Sequence, residues 1–349
     1  MPDLIFSFDS EDYLTPQAAD AELWWAAELS KRGFRGSWQL VGEFVRALKK
    51  WGREDVIAGI AKHEIGYHTN YHSLYPTHPE AVEKLNLADG IRYITGAEAP
   101  GLSTLATTFN TWPVSYCSAG DSWTPSTLLA LSRMGIKVFC NDKIQKPTSV
   151  PYWYCGMLVA KYAFDFQRYY EESGYRPGAF EEAFDALVAK TPSDGVIVLY
   201  THPTRMVTAK FWDEVFANGK RPVLKDCPPA PLRSPKEIET IQARCGQMLD
   251  WLRARKYLRV IDFAQMYRER AAQRRDLQSL LNECSLQPGE EGELPLRESG
   301  ADAFMPSSAF DTMNYRWVPY TPGFEGKAIL KQAAQLAWTA SPAQLNPAK

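Results

Sequence analysis

The chain of 349 residues is 45% hydrophobic and 23% charged, as in globular proteins and unlike disordered, fibrous or membrane chains. Its 39 Lys and Arg residues nearly balance its 41 Asp and Glu residues, which argues against nucleic acid as the main partner. We find no apolar run of about 20 residues and no signal peptide, so we expect no membrane span and a cytoplasmic protein, or a secreted one if a signal was removed.

Short β-rich runs alternate with longer helical stretches over the first 270 residues. Such alternation predicts a parallel sheet with helices on its outside. The predicted strands, in chain order, are residues 4–8, 37–41, 65–67, 114–117, 137–140, 195–200 and 258–261. The predicted helices are residues 20–31, 43–51, 53–62, 126–134, 180–190 and 236–255.

A closed β/α barrel suits the length of this region, and a doubly wound open sheet is the alternative. No Gly-rich phosphate loop follows the first strand, which weakens any nucleotide-binding version. Further on, residues 287–299 are polar, acidic and linker-like, and residues 327–338 have the pattern of a helix. We therefore expect a barrel over residues 1–270, and a linker with a C-terminal extension over residues 271–349.

Three of the five histidines lie within the ten residues HEIGYHTNYH, from His63 to His72. His68 and His72 are four residues apart, so a helical turn after the third strand would place both rings on one side. Neutral imidazole is a common ligand of divalent ions, and a third ligand would normally be a carboxylate. The six cysteines contain no CxxC pair, so a cysteine-based zinc site is not expected.

Asp9, Glu11 and Asp12 follow the first strand closely. Their mutual repulsion would raise at least one pKa unless a cation offset it, and a bound ion would leave one carboxylate free as a base. The alternative is an ordinary helix cap with acidic residues in the first turn. His202 follows the strongly β-forming run VIVLYT, at the strand end where β/α barrels carry their active sites, although a core histidine is an equal alternative.

In this order, the motifs FSFDSED, HEIGYHTNYH and LYTHP resemble those of the polysaccharide deacetylase family, the NodB-homology group or carbohydrate esterase family four. The resemblance spans roughly residues 3–265. It implies a distorted (β/α)7 barrel and a metal-dependent hydrolase of non-peptide carbon–nitrogen bonds, which removes N- or O-acetyl groups from a carbohydrate. The expected ion is Zn²⁺, and Co²⁺ or Ni²⁺ would suit the same ligands. The expected partner is a small-molecule, oligosaccharide or polysaccharide substrate.

The resemblance also implies roles for individual residues. His68 and His72 would be metal ligands, with a carboxylate from Glu11 or Asp12, of which Asp12 is slightly favoured. Asp9 would be the general base and His202 the general acid. A backbone N–H near residues 116–118 would stabilise the oxyanion, and the expected substrate or oxyanion contacts are Tyr116, Cys117 and Trp123. His63 would be a packing residue.

The sequence departs from the family in its third motif. The family has an Arg there that orients the base, whereas this chain reads SYCSAGDSW over residues 115–123. Two alternatives therefore stay open: a hydrolase of another linear or cyclic C–N bond, as in allantoinase-like and imidase-like relatives, or a non-catalytic carbohydrate-binding relative. Trp and Tyr residues near strand ends, Trp212 among them, could form a sugar platform or pack within the protein.

Overall fold

The computed structural model describes residues 1–72, 74–141, 149–171, 175–220, 222–273 and 302–303. The predicted linker at residues 287–299 and the predicted helix at residues 327–338 lie outside this part of the chain. The division of the chain at residue 270 therefore stays a prediction.

Seven parallel strands close into a barrel in the order β1–β2–β3–β4–β5–β7–β8, with β8 paired to β1. Since the sheet closes, the predicted (β/α)7 barrel is confirmed and the open-sheet alternative is wrong. Three further strands flank the ring: β6 pairs antiparallel with β7, β9 pairs with the start of β1, and β10 pairs parallel with β6. The strands are β1 (Asp3–Ser10), β2 (Gly36–Leu40), β3 (Glu64–Tyr67), β4 (Ser115–Cys117), β5 (Val138–Asn141), β6 (Tyr152–Tyr154), β7 (Met157–Asp165), β8 (Val196–Thr201), β9 (Arg259–Val260) and β10 (Asp302–Ala303).

Helices surround the barrel, and several begin at side-chain caps that the sequence supplies. Asn86, Thr124 and Ser234 each accept a hydrogen bond from a backbone N–H of the first helical turn. No helix in the described part of the chain combines the length and apolarity that crossing a membrane requires. The helices are α1 (Ala18–Lys31), α2 (Gly42–Lys50), α3 (Glu54–Ile60), α4 (His78–Val82), α5 (Leu87–Phe109), α6 (Pro125–Arg133), α7 (Gln167–Tyr170), α8 (Ala179–Lys190), α9 (Pro235–Ala254) and α10 (Phe263–Arg270).

The strands divide the core into two layers. Outward side chains such as Phe8 and Trp38 pack against the helices, whereas inward ones such as Ile5 and Val198 fill the barrel, with Phe263 of α10 packed among them. Because successive inward positions are two residues apart, each strand aims its last inward residue at the carboxyl end of the barrel. The chemistry-bearing residues of β1, the β3 end, β4 and β7 meet at that end.

Candidate active site

A turn at the end of β1 separates the three acidic residues. Asp12 Oδ1 accepts hydrogen bonds from the backbone N–H groups of Leu14 (3.1 Å) and Thr15 (2.9 Å). Its Oδ2 accepts one from the Thr204 hydroxyl at 2.8 Å. Burial raises the pKa of Asp12 to about 6, against the effect of these donors. The side chain that the sequence slightly favoured as the metal carboxylate therefore ties the turn together instead.

Glu11 is the carboxylate that meets the two histidines. Its Oε2 lies 2.7 Å from His72 Nε2 and 3.5 Å from His68 Nε2, and all three side chains are buried. One donor atom from each residue lies within 4.8 Å of those of the other two. Two imidazoles and one carboxylate are a donor set typical of divalent transition metals, so these residues fit the expected ion.

Neighbouring groups orient these three side chains. The carbonyl of Cys117 can only accept, so His68 donates to it from Nδ1 at 3.0 Å and keeps the Nε2 lone pair facing Glu11. Trp212 donates from Nε1 to the second oxygen of Glu11 at 3.2 Å, and its buried ring lies 5.3 Å from that of His72. The indole of Trp212, one of the rings considered from the sequence as a sugar platform, thus packs against the Glu11 carboxylate.

The segment after β3 is a bend and a turn, not the predicted helical turn. Thr69 and His72 adopt left-handed conformations, with φ of 67° and 57°, and His72 N–H donates to the Thr69 hydroxyl at 2.9 Å. The rings of His68 and His72 nevertheless lie 5.0 Å apart, centroid to centroid. Left-handed backbone at non-glycine residues costs about 1–3 kcal/mol, and such residues cluster at functional sites.

Helix α5 holds this turn in place. Glu98 accepts hydrogen bonds from the backbone N–H of Asn70 (2.9 Å) and the hydroxyl of Tyr67 (2.6 Å), and it pairs with His78 at 2.9 Å. A Cβ at Gly101 would overlap the Tyr67 hydroxyl, so glycine is what allows α5 to approach so closely. His78 therefore belongs to the support of the turn.

The electrostatics of the cluster keep Glu11 ionised. Burial would raise the pKa of Glu11, but the charge of the His72 imidazole, whose Nε2 lies 2.7 Å from Oε2, holds it well below its ordinary value. Burial would also lower the pKa of His72, yet the Glu11 carboxylate raises it above its ordinary value. The buried carboxylate and the buried imidazole thus stabilise each other's charged forms.

Asp9, the predicted base, lies beside this cluster and contacts Tyr162 and Cys117 on one side. Tyr162 donates from its hydroxyl to Asp9 Oδ1 at 2.7 Å, and the Cys117 thiol lies 3.9 Å from Oδ2. Tyr162 Oη and Cys117 Sγ are 2.7 Å apart. Sequence reasoning missed Tyr162, because the strand that carries it was not predicted and tyrosine on its own has no diagnostic motif.

His202, the predicted acid, faces Asp9 across the site. Its Nε2 lies 3.8 Å from Asp9 Oδ2, and its Nδ1 is 3.0 Å from Oε1 of Gln167, at the start of α7. The ring of Phe211 contacts the imidazole edge-on, with centroids 4.9 Å apart. Because an amide oxygen can only accept, Nδ1 carries a proton and Nε2 is the nitrogen presented to the site.

Two of the predicted substrate contacts lie elsewhere. The rings of Tyr116 and Trp123 are buried in the outer layer, where both pack against Phe139. Tyr116 directly precedes Cys117 in β4, and adjacent side chains of a strand face opposite sides, so Tyr116 points away from the barrel interior. The structure thus places both rings away from the Glu11–His68–His72 cluster, and an oxyanion donor from the backbone near residues 116–118 stays a prediction.

His63, the first histidine of the segment HEIGYHTNYH, is part of the core, in agreement with its expected packing role. His63 packs against Trp38, its Nδ1 accepts from Gly36 N–H at 3.3 Å and its Nε2 lies 3.1 Å from the Ala26 carbonyl. Burial lowers the pKa of His63 to about 4. The ring is therefore neutral near pH 7 and is fully engaged away from the site.

A cleft of about 220 Å³ opens beside His72. Two of its lining rings, Tyr71 and Tyr93, are 44% exposed. It is closed on one side by the His78–Glu98 pair. The cleft thus offers exposed aromatic faces directly next to the Glu11–His68–His72 cluster.

Ser10 separates the predicted base from Glu11 and points the other way. Its hydroxyl donates to Glu22 at 3.0 Å, and Trp38 Nε1 donates to the same carboxyl oxygen at 2.8 Å. Burial raises the pKa of Glu22 to about 8 from an ordinary 4.5. The outer layer therefore contains a carboxyl group that is protonated at neutral pH.

This carboxyl group predicts a pH-dependent stability. The folded chain keeps the Glu22 proton that the unfolded chain releases above about pH 4.5, so the free energy of unfolding should fall as the pH rises towards 8. Glu22→Gln cannot ionise, and we expect a variant more stable than the wild type by a few kcal/mol at about pH 8.5 but not at about pH 4.5, at roughly 1.4 kcal/mol per pKa unit. Urea unfolding at both pH values measures this; exposed Glu239→Gln is the control. Equal pH slopes for the wild type and Glu22→Gln would contradict it.

Comparisons with known proteins give the fold. The chain is similar to a solved 4-α-glucanotransferase from Thermococcus litoralis, with 13% identity over 76% of this chain and a TM-score of 0.51. It spans only 40% of the length of that enzyme. At this identity the similarity is one of fold. No family model and no curated protein matches the sequence.

Two further matches have TM-scores below 0.5. A structure of Puue allantoinase matches with 13% identity over 77% of this chain and 90% of its own, at a TM-score of 0.49. A family 4 carbohydrate esterase from Streptomyces lividans matches with 13% identity over 72% of this chain and 90% of its own, at 0.37.

Proposed function

We propose that this chain is a metal-dependent hydrolase that removes an acetyl group from the nitrogen or oxygen of a carbohydrate. The observation that carries the proposal is the convergence of Glu11, His68 and His72 beside Asp9 and opposite His202. A metal-type donor set, a carboxylate and an imidazole at one barrel mouth are the three groups that metal-assisted acyl hydrolysis with acid–base catalysis uses.

The residues Glu11, His68 and His72 would hold the ion, with Zn²⁺ expected and Co²⁺ or Ni²⁺ compatible. When bound, a divalent ion at such a site polarises the acyl carbonyl and acidifies a water molecule. Trp212 and the Cys117 carbonyl keep the carboxylate and the imidazole of His68 turned towards it. The donor atoms available around the cluster thus match the role in number and in chemistry.

Asp9 and His202 would move the protons. Asp9 takes a proton from the attacking water as its oxygen bonds to the acyl carbon, and His202 gives a proton to the leaving nitrogen or oxygen as the bond to the acyl carbon breaks. The 3.8 Å between Asp9 Oδ2 and His202 Nε2 supports these roles, because both groups could then reach one substrate carbonyl. Acetate and the free amine or alcohol are the products.

The cleft beside His72 would receive the sugar. Aromatic faces bind the apolar face of a pyranose ring, and Tyr71 and Tyr93 present such faces next to the expected ion. The substrate is therefore proposed to lie across the barrel mouth, with its acetyl group over the cluster and its ring towards these tyrosines.

The test is acetate release from acetylated amino sugars, their oligomers and O-acetylated xylose oligomers, with and without a chelator. We expect turnover that the chelator abolishes and added Zn²⁺, Co²⁺ or Ni²⁺ restores. Parallel assays with cyclic amides and ureides address hydrolysis of another C–N bond. Turnover of those compounds alone, or sugar binding without acetate release, would overturn the proposal.

A further inference from the structure

Tyr162 is the residue whose hydroxyl contacts Asp9 most closely. It lies on the inward face of β7, and its hydroxyl is 2.7 Å from Asp9 Oδ1. Its ring stacks on that of Tyr200, with centroids 4.2 Å apart and an angle of 10° between the planes. Side chains from two adjacent strands thus fix where this hydroxyl points.

The phenol can only be a donor to the carboxylate. Burial, together with Asp9 and Cys117, raises the pKa of Tyr162 well above its ordinary value, so the hydroxyl keeps its proton. The hydroxyl lies 2.7 Å from both Asp9 Oδ1 and Cys117 Sγ, and the carboxylate oxygen is the stronger acceptor for its single proton. In the described part of the chain, no Lys or Arg forms an ion pair with Asp9; its ion-pair neighbour is His202.

We propose that Tyr162 is the positioning residue of Asp9, and that it leaves Oδ2 as the oxygen that accepts the proton. Oδ1 is engaged by the phenol, whereas Oδ2 faces His202 at 3.8 Å. A neutral hydrogen bond from β7 thereby does what an Arg in the third motif does in the family that the sequence resembles. This inference rests on the proposed function, since it needs Asp9 to act as a base.

The first test is Tyr162→Phe, which keeps the stacked ring and removes only the hydroxyl. We expect kcat to fall about 10–100-fold, with KM within about twofold of the wild type and metal content unchanged. The reason is that the substitution changes only the orientation of the Asp9 carboxylate. Tyr170→Phe is the matched control: it removes another buried hydroxyl, one that bonds to Thr201 at 2.8 Å in the outer layer. An unchanged kcat in Tyr162→Phe, or an equal loss in Tyr170→Phe, would overturn the proposal.

A double-mutant cycle with Asp9→Asn separates positioning from general structural support. If Tyr162 acts through Asp9, Tyr162→Phe should lower kcat no further in the Asp9→Asn background. A second cycle, in which Asp9→Ala removes the acceptor altogether, should show non-additive Tm losses in thermal unfolding, and this readout needs no substrate. Additive effects in both readouts would refute the coupling. If the wild type hydrolyses no acetylated sugar while the Tm cycle is non-additive, the proposed function fails and the Tyr162–Asp9 contact stands.

Discussion

Glu11→Gln is expected to purify without its divalent ion and to lose at least about 100-fold in acetate release. The substitution keeps the shape of the side chain but replaces the charged oxygen that lies 2.7 Å from His72 and 3.5 Å from His68. Changing groups that merely orient a ligand typically costs 10–100-fold in metal affinity, so changing a ligand should cost more. Metal content by mass spectrometry and kcat/KM measure the two effects.

Asp12→Asn is the control that the structure provides for this experiment. Asp12 directly follows Glu11 in the sequence, but its oxygens accept hydrogen bonds from Leu14, Thr15 and Thr204. We expect this variant to keep its ion and to lose stability, because the turn after β1 is weakened. Metal loss in Asp12→Asn together with retention in Glu11→Gln would reverse the assignment of the carboxylate.

Asp9→Asn is expected to lower kcat by about 10²–10⁴-fold while the ion stays bound, because proton transfer by a positioned side chain contributes roughly that factor. The amide still accepts the hydrogen bond of Tyr162 but takes up no proton from water. Steady-state kinetics with a metal determination on the same sample measure this result.

Asp3→Asn is a matched control on the same strand. Asp3 is a buried carboxylate at the opposite end of β1 that pairs with Arg259 at 2.7 Å. This variant should be less stable, with an unchanged kcat per folded molecule. If Asp9→Asn kept more than about a tenth of the wild-type kcat, another group would have to be the base.

Much of the barrel could be predicted from the sequence because its signals are local. The hydrophobic run before Asp9 and the run VIVLYT before His202 read as strands from composition alone. In a closed parallel barrel every strand ends at the same rim, so residues that directly follow strands come together. This rule suffices to bring Asp9, His68 and His202 to one place.

The choice between Glu11 and Asp12 could not be predicted in this way. It depends on which carboxylate the backbone N–H groups of Leu14 and Thr15 capture, and the two residues are neighbours of the same chemical type. Asp is the better match, because its shorter side chain reaches a backbone two or three residues ahead. An Asx-turn argument would have assigned Asp12 to the turn and left Glu11 for the histidines.

Strand β7 and helix α5 were missed for different reasons. Helix α5 contains Gly90, Gly96, Pro100 and Gly101, which are poor helix formers, and its stability comes from packing. Strand β7 follows a tight hairpin and contains Lys161 and small residues, so its pattern is weak. Its contact with Asp9 joins residues 153 positions apart, and no local pattern reports such a distance.

The backbone holds the acidic residues of the candidate site more firmly than it holds His72. Asp9 belongs to a strand hydrogen-bonded on both sides, and Glu11 follows it directly, whereas His72 belongs to a turn outside any strand. Ions of unequal radius should therefore be accommodated by displacement of His72, with the backbone that carries Asp9 staying fixed. Exchange of one transition metal for another would then alter the Lewis acidity at the site while the carboxylate that takes up the proton keeps its position.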